Sequence, residues 1–318
     1  MTATTPAPKT AGAAGTPRST APAWLPLAAV GVTLLLWASA FVAIRHLADT
    51  FSPGSLSLGR LLVASLCLGV VALGRGLPRP TGRQWVSIVV IGVLWFGIYN
   101  VALNAGEHHV DAGTAVMLIQ VSPVLVALLA ATFLHERFTL FLGLGLALAF
   151  GGVALIATAS SDSNGDRSVL GVLLCLLSAV VYSVSLVLQK PLVASLPAIH
   201  VTWLACTVGA VVCLPFVGQL VDDTRAASAS DVWWVAYLGV FPTAIAFTTF
   251  AYALRTMSAS SLGVTTYLVP PITIVMGWFF LDETPPGMAY VGGVLALVGV
   301  AVARRKPRTL ADEPPVPA

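Results

Sequence analysis

Two stretches decide how this chain folds: Ser122–Phe138, SPVLVALLAATFLHERF, and Val269–Pro286, VPPITIVMGWFFLDETPP. Each opens on proline, runs apolar for about three turns and closes on an acidic residue. Sliding the chain against itself by 147 positions lays one on the other without a gap: Pro123 meets Pro270, Phe133 meets Phe280, Leu134 meets Leu281 and Glu136 meets Glu283. Upstream, the match begins with Gly92-Val93 on Gly239-Val240. Downstream, Gly145, Leu148, Ala149, Gly152, Val153 and Ala154 fall on Gly292, Leu295, Ala296, Gly299, Val300 and Ala301. Apolar helices match easily by chance, but anchored Pro, Glu and Gly spacing does not, so the chain is an internal duplication.

The medium around that duplication follows from composition. The 318 residues are 57% hydrophobic and 9% charged, against roughly 25% charged in soluble domains. So much apolar surface does not fit inside a soluble fold, and the bilayer is the expected solvent. About 20 apolar residues at 1.5 Å each span the hydrocarbon core. Stretches near that length recur at 25–46, 54–74, 84–105, 112–133, 139–159, 168–189, 199–219, 232–254, 260–281 and 287–304. They lack the strict alternation of barrel strands, and backbone amides in lipid must be satisfied internally, so helices are expected. The expected fold is all-α and integral to the membrane, with ten transmembrane helices in two repeats of five. An odd number of spans per repeat inverts the second repeat relative to the first. That arrangement is typical of secondary transporters, with the solute near the midplane between halves.

Residues 1–23 are rich in Thr, Ala and Pro and read as a disordered cytoplasmic tail. Residues 24–159 form the first repeat, 168–304 the second and 305–318 a cytoplasmic tail. Trp24–Trp37 followed by Ala38-Ser39-Ala40 imitates a secretory signal, but the repeat needs this helix. With the amino terminus inside, twelve of sixteen Lys and Arg fall on the cytoplasmic side, while Arg45, Arg167 and Arg225 fall outside and Arg60 lies within helix 2. Both termini are therefore expected in the cytoplasm, with the chain in an inner (plasma) membrane. The four cysteines lie in apolar stretches without a CxxC pair and read as buried hydrophobes.

The chain resembles the drug/metabolite transporter superfamily, specifically proteins with two EamA domains. The likeness is carried by LLWASAFVAIRHL (35–47), GRLLVASLCLG (59–69), SPVLVALLAATFLHERF through GLGLALAFGGVALI (122–156), VPPITIVMGWFFLDETPP and GGVLALVGVAVA (292–303). The resemblance covers nearly everything from Trp24 to Arg304. It implies an exporter or exchanger of a small metabolite such as an amino acid, working by alternating access. It leaves the solute, direction and coupling open.

No Asp or Glu falls deep within an expected span, which argues against a pump driven through a buried acid. Arg60 is the one charge well inside a span. It either snorkels outward or attracts an anionic solute. Asn100 and Asn104 share one face of helix 3 with Tyr99 beside them, and unpaired amides in lipid are costly, so that face looks inward. Gln120 precedes Pro123, whose missing N–H frees a carbonyl, and its repeat equivalent is Tyr267. Tyr182, Ser185 and Gln189 form a stripe at i, i+3, i+7, and Thr248 and Tyr252 form another at i, i+4. Trp37 stands where the family's Trp-rich entry motif sits. Together these are the candidate solute-contacting residues, each weighed against a role in helix packing. Glu136 and Glu283 read as helix caps or loop salt bridges, with Glu136 and Arg137 a candidate cytoplasmic gate.

No cofactor, metal or nucleic acid is expected; His108 and His109 are adjacent and make a poor chelating pair. Expected partners are a small-molecule solute and the lipid bilayer, and Gly-rich helix faces also permit a homodimer. An integral-membrane enzyme acting on lipid or prenyl substrates is the alternative. It would need a chemical motif, and no HExxH, GxSxG or DDxxD occurs. A scaffold or receptor would need a long loop or soluble domain, which the short loops do not supply.

Overall fold

The computed structural model describes residues 24–76, 79–133, 140–164, 166–257, 262 and 265–303. The two tails and the Glu136–Arg137 gate lie outside the described residues. Among the described residues the chain is helical and has no strand. In order they are α1 (Trp24–Leu47), α2 (Pro53–Gly74), α3 (Gly82–Ile91), a π-helical segment (Gly92–Ile98), α4 (Tyr99–Glu107), α5 (Ala112–Ile119), α6 (Ser122–Phe133) and α7 (Leu140–Asn164). Then come α8 (Asp166–Ser195), α9 (Ala198–Val212), α10 (Val217–Ala226), α11 (Ala229–Leu238), a second π segment (Gly239–Ile245), α12 (Ala246–Thr256), α13 (Val269–Leu281) and α14 (Gly287–Ala303).

Among the described residues, five helical runs are long and apolar enough to cross a membrane: Trp24–Leu47, Pro53–Gly74, Gly82–Glu107, Val169–Ser195 and Ala229–Thr256. A sixth results if Ala198–Val212 and Leu214–Ala226, bent by 53°, count as one span. The bend falls at Cys213-Leu214-Pro215, where proline removes a backbone donor. The remaining apolar helices are shorter. Leu66, Val70, Trp233 and Phe279 stand about 70% exposed, as a lipid-facing surface requires.

The duplication seen in the sequence reappears as repeated local structure. The two π segments, 92–98 and 239–245, begin and end 147 positions apart. Thr81 starts α3 with a capping box, its side chain accepting from the Gln84 amide while Gln84 accepts from the Thr81 amide. Ser228 and Asp231 repeat that box at the start of α11, again 147 positions on. A π turn widens the helix and leaves carbonyls misaligned. Asn100 Nδ2 donates to Trp95 O (3.2 Å) and Phe96 O (2.8 Å) in the first segment, and Thr243 Oγ1 donates to Leu238 O (2.7 Å) in the second.

The halves interlock by swapping equivalent elements. The first π segment packs on α9 and the second on α2; α4 packs on α8 and α12 on α1; α6 packs on α8 and α13 on α1. α7 and α14 pack on one another. A Cβ added to Gly92 would lie 2.7 Å from the Ala205 carbonyl oxygen, and one added to Gly239 would lie 2.8 Å from that of Arg60. Only glycine permits so close an approach of one half's backbone to the other's.

Candidate functional site

Between the halves lies a cavity of about 850 Å³ of non-atom space, part of it open to solvent. Its wall is drawn from α1 (Trp37, Phe41, Ile44), α2 (Arg60), the first π segment with α4 (Trp95, Tyr99, Leu103) and α5 to α6 (Val116, Gln120, Ser122, Pro123). The second half adds Tyr182 and Leu186 from α8, Phe247 from α12, and Thr266 and Val269 at the start of α13. Much of this wall is aromatic. Trp95 meets Tyr182 edge-on at 5.0 Å and Phe247 at 5.1 Å, and Trp37 lies 5.5 Å from Phe247. Aromatic pairs at such spacings add to the burial of their area and make a rigid apolar surface.

Arg60 does not snorkel. It is 4% exposed, and its Nε and Nη2 donate to Thr243 Oγ1 at 3.1 and 3.0 Å. Thr243 belongs to the second π segment, so the cation is held in place across the interface. Among the described residues no carboxylate lies within ion-pair distance of Arg60. A buried guanidinium beside a cavity and without a counter-ion is suited to a carboxylate brought by a solute.

Of the residues expected to face the solute, Trp37, Tyr99, Gln120, Tyr182 and Arg60 are on the wall. Gln120 Nε2 also donates to Thr266 O at 2.9 Å, tying its half to the other. Trp37 Nε1 is buried and has no hydrogen-bond partner among the described residues. The other expected residues sit elsewhere. Asn100 serves the π segment, and Asn104 Nδ2 donates to Ser57 Oγ (2.9 Å) and Pro53 O (3.3 Å) on α2. Ser185 Oγ donates back to Val181 O, and Gln189 is buried on α8 two turns from Tyr182. Thr248, Tyr252 and Tyr267 are half-buried, with Tyr267 packed against the apolar core.

The expectation that no carboxylate lies deep within a span did not foresee a buried one at a helix end, Glu107. Helix 3 runs two residues beyond its expected end at 105, so Glu107 is the last residue of α4, with no exposed surface. Among the described residues neither carboxylate oxygen has a hydrogen-bond partner. Its backbone oxygen accepts from Arg45 Nη1 at 3.0 Å. The same guanidinium pairs with Glu283, with Nε at 2.9 and 3.1 Å from the two carboxylate oxygens and Nη2 at 2.9 Å. Asp282, at φ 52°, ends α13 in the left-handed region and turns Glu283 back toward α1. Arg45 thus clasps three elements from both halves.

Sequence reasoning also missed Trp95, Thr243 and Phe247. A signal for Glu107 was present: Asn100, Asn104 and Glu107 follow i, i+4, i+7 and extend one polar stripe. Beside it, Asp111 accepts from the Thr114 amide (2.8 Å) and hydroxyl (2.6 Å). Burial pushes the Asp111 carboxyl up, against the pull of those two bonds. Burial, and then the neighbouring His109, hold His108 below the ordinary imidazole value.

A helical membrane bundle made of two interlocked repeats around a central cavity is the frame of a solute carrier. The chain belongs to the EamA-like transporter family, whose model matches residues 24–158 and 169–305. It is 39% identical over 87% of its length to a protein of Streptantibioticus cattleyicolor named "Probable terminal-alkyne amino-acid exporter", covering 93% of that protein. It is 31% identical over 83% of its length to the "Uncharacterized transporter YdfC" of Bacillus subtilis, covering 86% of it. A solved crystal structure, 21% identical, covers 88% of this chain and 96% of its own with a TM-score of 0.60, which supports the fold.

Proposed function

We propose that the chain is a secondary transporter that exports or exchanges a small amino-acid-like metabolite by alternating access between inverted repeats. In this reading ten spans cross an inner (plasma) membrane, both termini are cytoplasmic, and 24–159 and 168–304 are the two rocking units. The observation that carries it is Arg60, buried at the wall of a cavity between the halves and held by Thr243 of the opposite half. A carboxylate fits the guanidinium, and the aromatic wall of Trp37, Trp95, Tyr182 and Phe247 fits an apolar side chain. The exporter name of the Streptantibioticus relative supports the same solute class and the outward direction.

The test is exchange in proteoliposomes loaded with a panel of amino acids, with and without a pH gradient. Wild-type protein is expected to exchange apolar amino acids. Gln120→Ala and Tyr182→Phe, shown to be folded, are expected to slow exchange. A folded wild-type protein that moves no member of the panel would contradict the reading.

A further inference from the structure

Because the two halves repeat, each residue of one half has a counterpart whose job is structural by default. At the end of α4, Arg45 Nη1 donates to the Glu107 carbonyl. At the end of α12, 147 positions on, Lys190 Nζ donates to the Leu254 carbonyl (2.7 Å) and the Met257 carbonyl (3.0 Å). The two cations do the same work in the two halves, closing the last carbonyls of a helix. In the second half the residue so held is leucine. The structural task therefore needs no carboxyl, and the carboxyl of Glu107 is left to be explained.

Both its oxygens are enclosed and unpartnered among the described residues. A carboxylate anion in that state is costly to keep out of water, because a buried polar group without a partner loses its hydration and gains nothing in return. The charged and titratable groups around it are Arg45 from α1, Arg60 from α2, Asp111 ahead of α5 and Glu283 after α13. Cys175 faces it from α8, Tyr99 lies on its own element and His108 follows it in the chain. The arginine that donates to the Glu107 carbonyl, Arg45, is the same one that holds Glu283.

We propose that Glu107 is a proton-binding site, and that its ionisation works the Arg45–Glu283 clasp. With a proton on Glu107, Arg45 stays on Glu283 and the clasp joins the halves, as in this structure. When the Glu107 carboxyl gives its proton to water, the resulting carboxylate competes with Glu283 for the same guanidinium. Arg45 already touches Glu107 through its carbonyl, so the transfer needs only a side-chain rearrangement. Arg45 remains a cation throughout, and the proton is the one species gained or lost. Coupling of this step to solute movement rests on the transporter reading; the proton site itself does not.

The test reads the carboxyl directly. Infrared difference spectra of purified full-length protein in nanodiscs, recorded across a pH titration, are expected to show a carboxylic-acid carbonyl band that is lost as pH rises. Glu107→Gln is expected to remove that band and Glu107→Asp to retain it at a displaced frequency. Glu107→Leu, copying Leu254, gives a second variant that preserves the helix end should glutamine misfold. Identical difference spectra in wild type and a folded Glu107 variant would overturn the proton site. In liposomes, Glu107→Gln is expected to keep solute exchange at equal pH and to lose any acceleration by a pH gradient. Unchanged gradient dependence in that variant would overturn the coupling. The spectra need no solute, so a wild-type protein that moves nothing removes the transporter reading and leaves the site decided by its band.

Discussion

The end of α4 in the first repeat and the end of α12 in the second are the same structure carrying different chemistry. Along α4 the inward stripe is Asn100, Asn104 and Glu107; 147 positions on, along α12, it is Phe247, Ala251 and Leu254. The helix-closing cation is kept at both ends, as are the capping boxes at Thr81 and Ser228 and the π segments. Arg60 follows the same rule. Gly239 packs against the Arg60 carbonyl and Gly92 against that of Ala205, so the equivalent contact falls on arginine in one half and on alanine in the other. What the halves share builds the frame, and where they differ the end of α4 carries polar and ionisable groups where the end of α12 carries apolar ones.

The largest expected break in that comparison is steric. Gly92→Val and Gly239→Val each force a side chain into the backbone of the opposite half, at a cost of about 1–3 kcal/mol or more in a packed core. Both variants are expected to lose folded yield in detergent, read by size-exclusion chromatography, and to do so similarly because the contacts are equivalent. Full retention of either would show that the π segments are not seated as described.

Smaller is the loss of a helix cap, about 1 kcal/mol for Thr81→Ala or Ser228→Ala. Matched falls in thermal midpoint would sharpen the equivalence of α3 and α11, and a fall in one alone would break it. A pH effect is also expected at Asp111, outside the spans. Its folded value is raised, so the folded state binds the proton more readily and stability rises as pH falls through that value. The gain is complete below the unfolded carboxylate value of about 3.9. Asp111→Asn keeps the cap and is expected to be more stable than wild type at neutral pH, with a flatter dependence of thermal midpoint on pH below it. An unchanged pH dependence would contradict the burial argument.

The least effect belongs to Glu283→Gln. The pair is about one-third exposed on each side, so water screens it and the stability change stays below about 1 kcal/mol. Its expected signature is a shift in the pH at which the Glu107 infrared band disappears, because the competitor for Arg45 is weakened.

Much of the frame was legible in the sequence because lipid demands long apolar runs and the repeat carries Pro, Glu and Gly anchors. The π segments were not, since one extra residue in a turn leaves an apolar pattern unchanged. The bend between α9 and α10 was marked by Pro215, but a proline alone does not say how far a helix turns. For the cavity wall, Tyr99, Gln120, Tyr182 and Arg60 stood out as polar groups within apolar spans, and Trp37 through the family resemblance. Asn100 and Asn104 stood out for the same reason, yet their amides answer to backbone and to Ser57. A polar face in a membrane helix shows that something must satisfy it, and spacing does not distinguish a solute from a neighbouring helix. Glu107 escaped because a boundary two residues short left it outside the expected span, and spacing does not show burial at a helix end.

The most direct measurement is counterflow of a radiolabelled apolar amino acid in proteoliposomes of wild type, Arg60→Lys and Arg60→Met, competed by the same amino acid or its carboxamide. If Arg60 reads the carboxylate, the amino acid competes against wild type and the carboxamide does not. Arg60→Met then loses counterflow at least tenfold, as expected for a hydrogen bond to a charged group worth about 1.5–3 kcal/mol, and Arg60→Lys retains part of it. Equal competition by the carboxamide, or undiminished counterflow in folded Arg60→Met, would contradict a solute site built on Arg60 between the repeats.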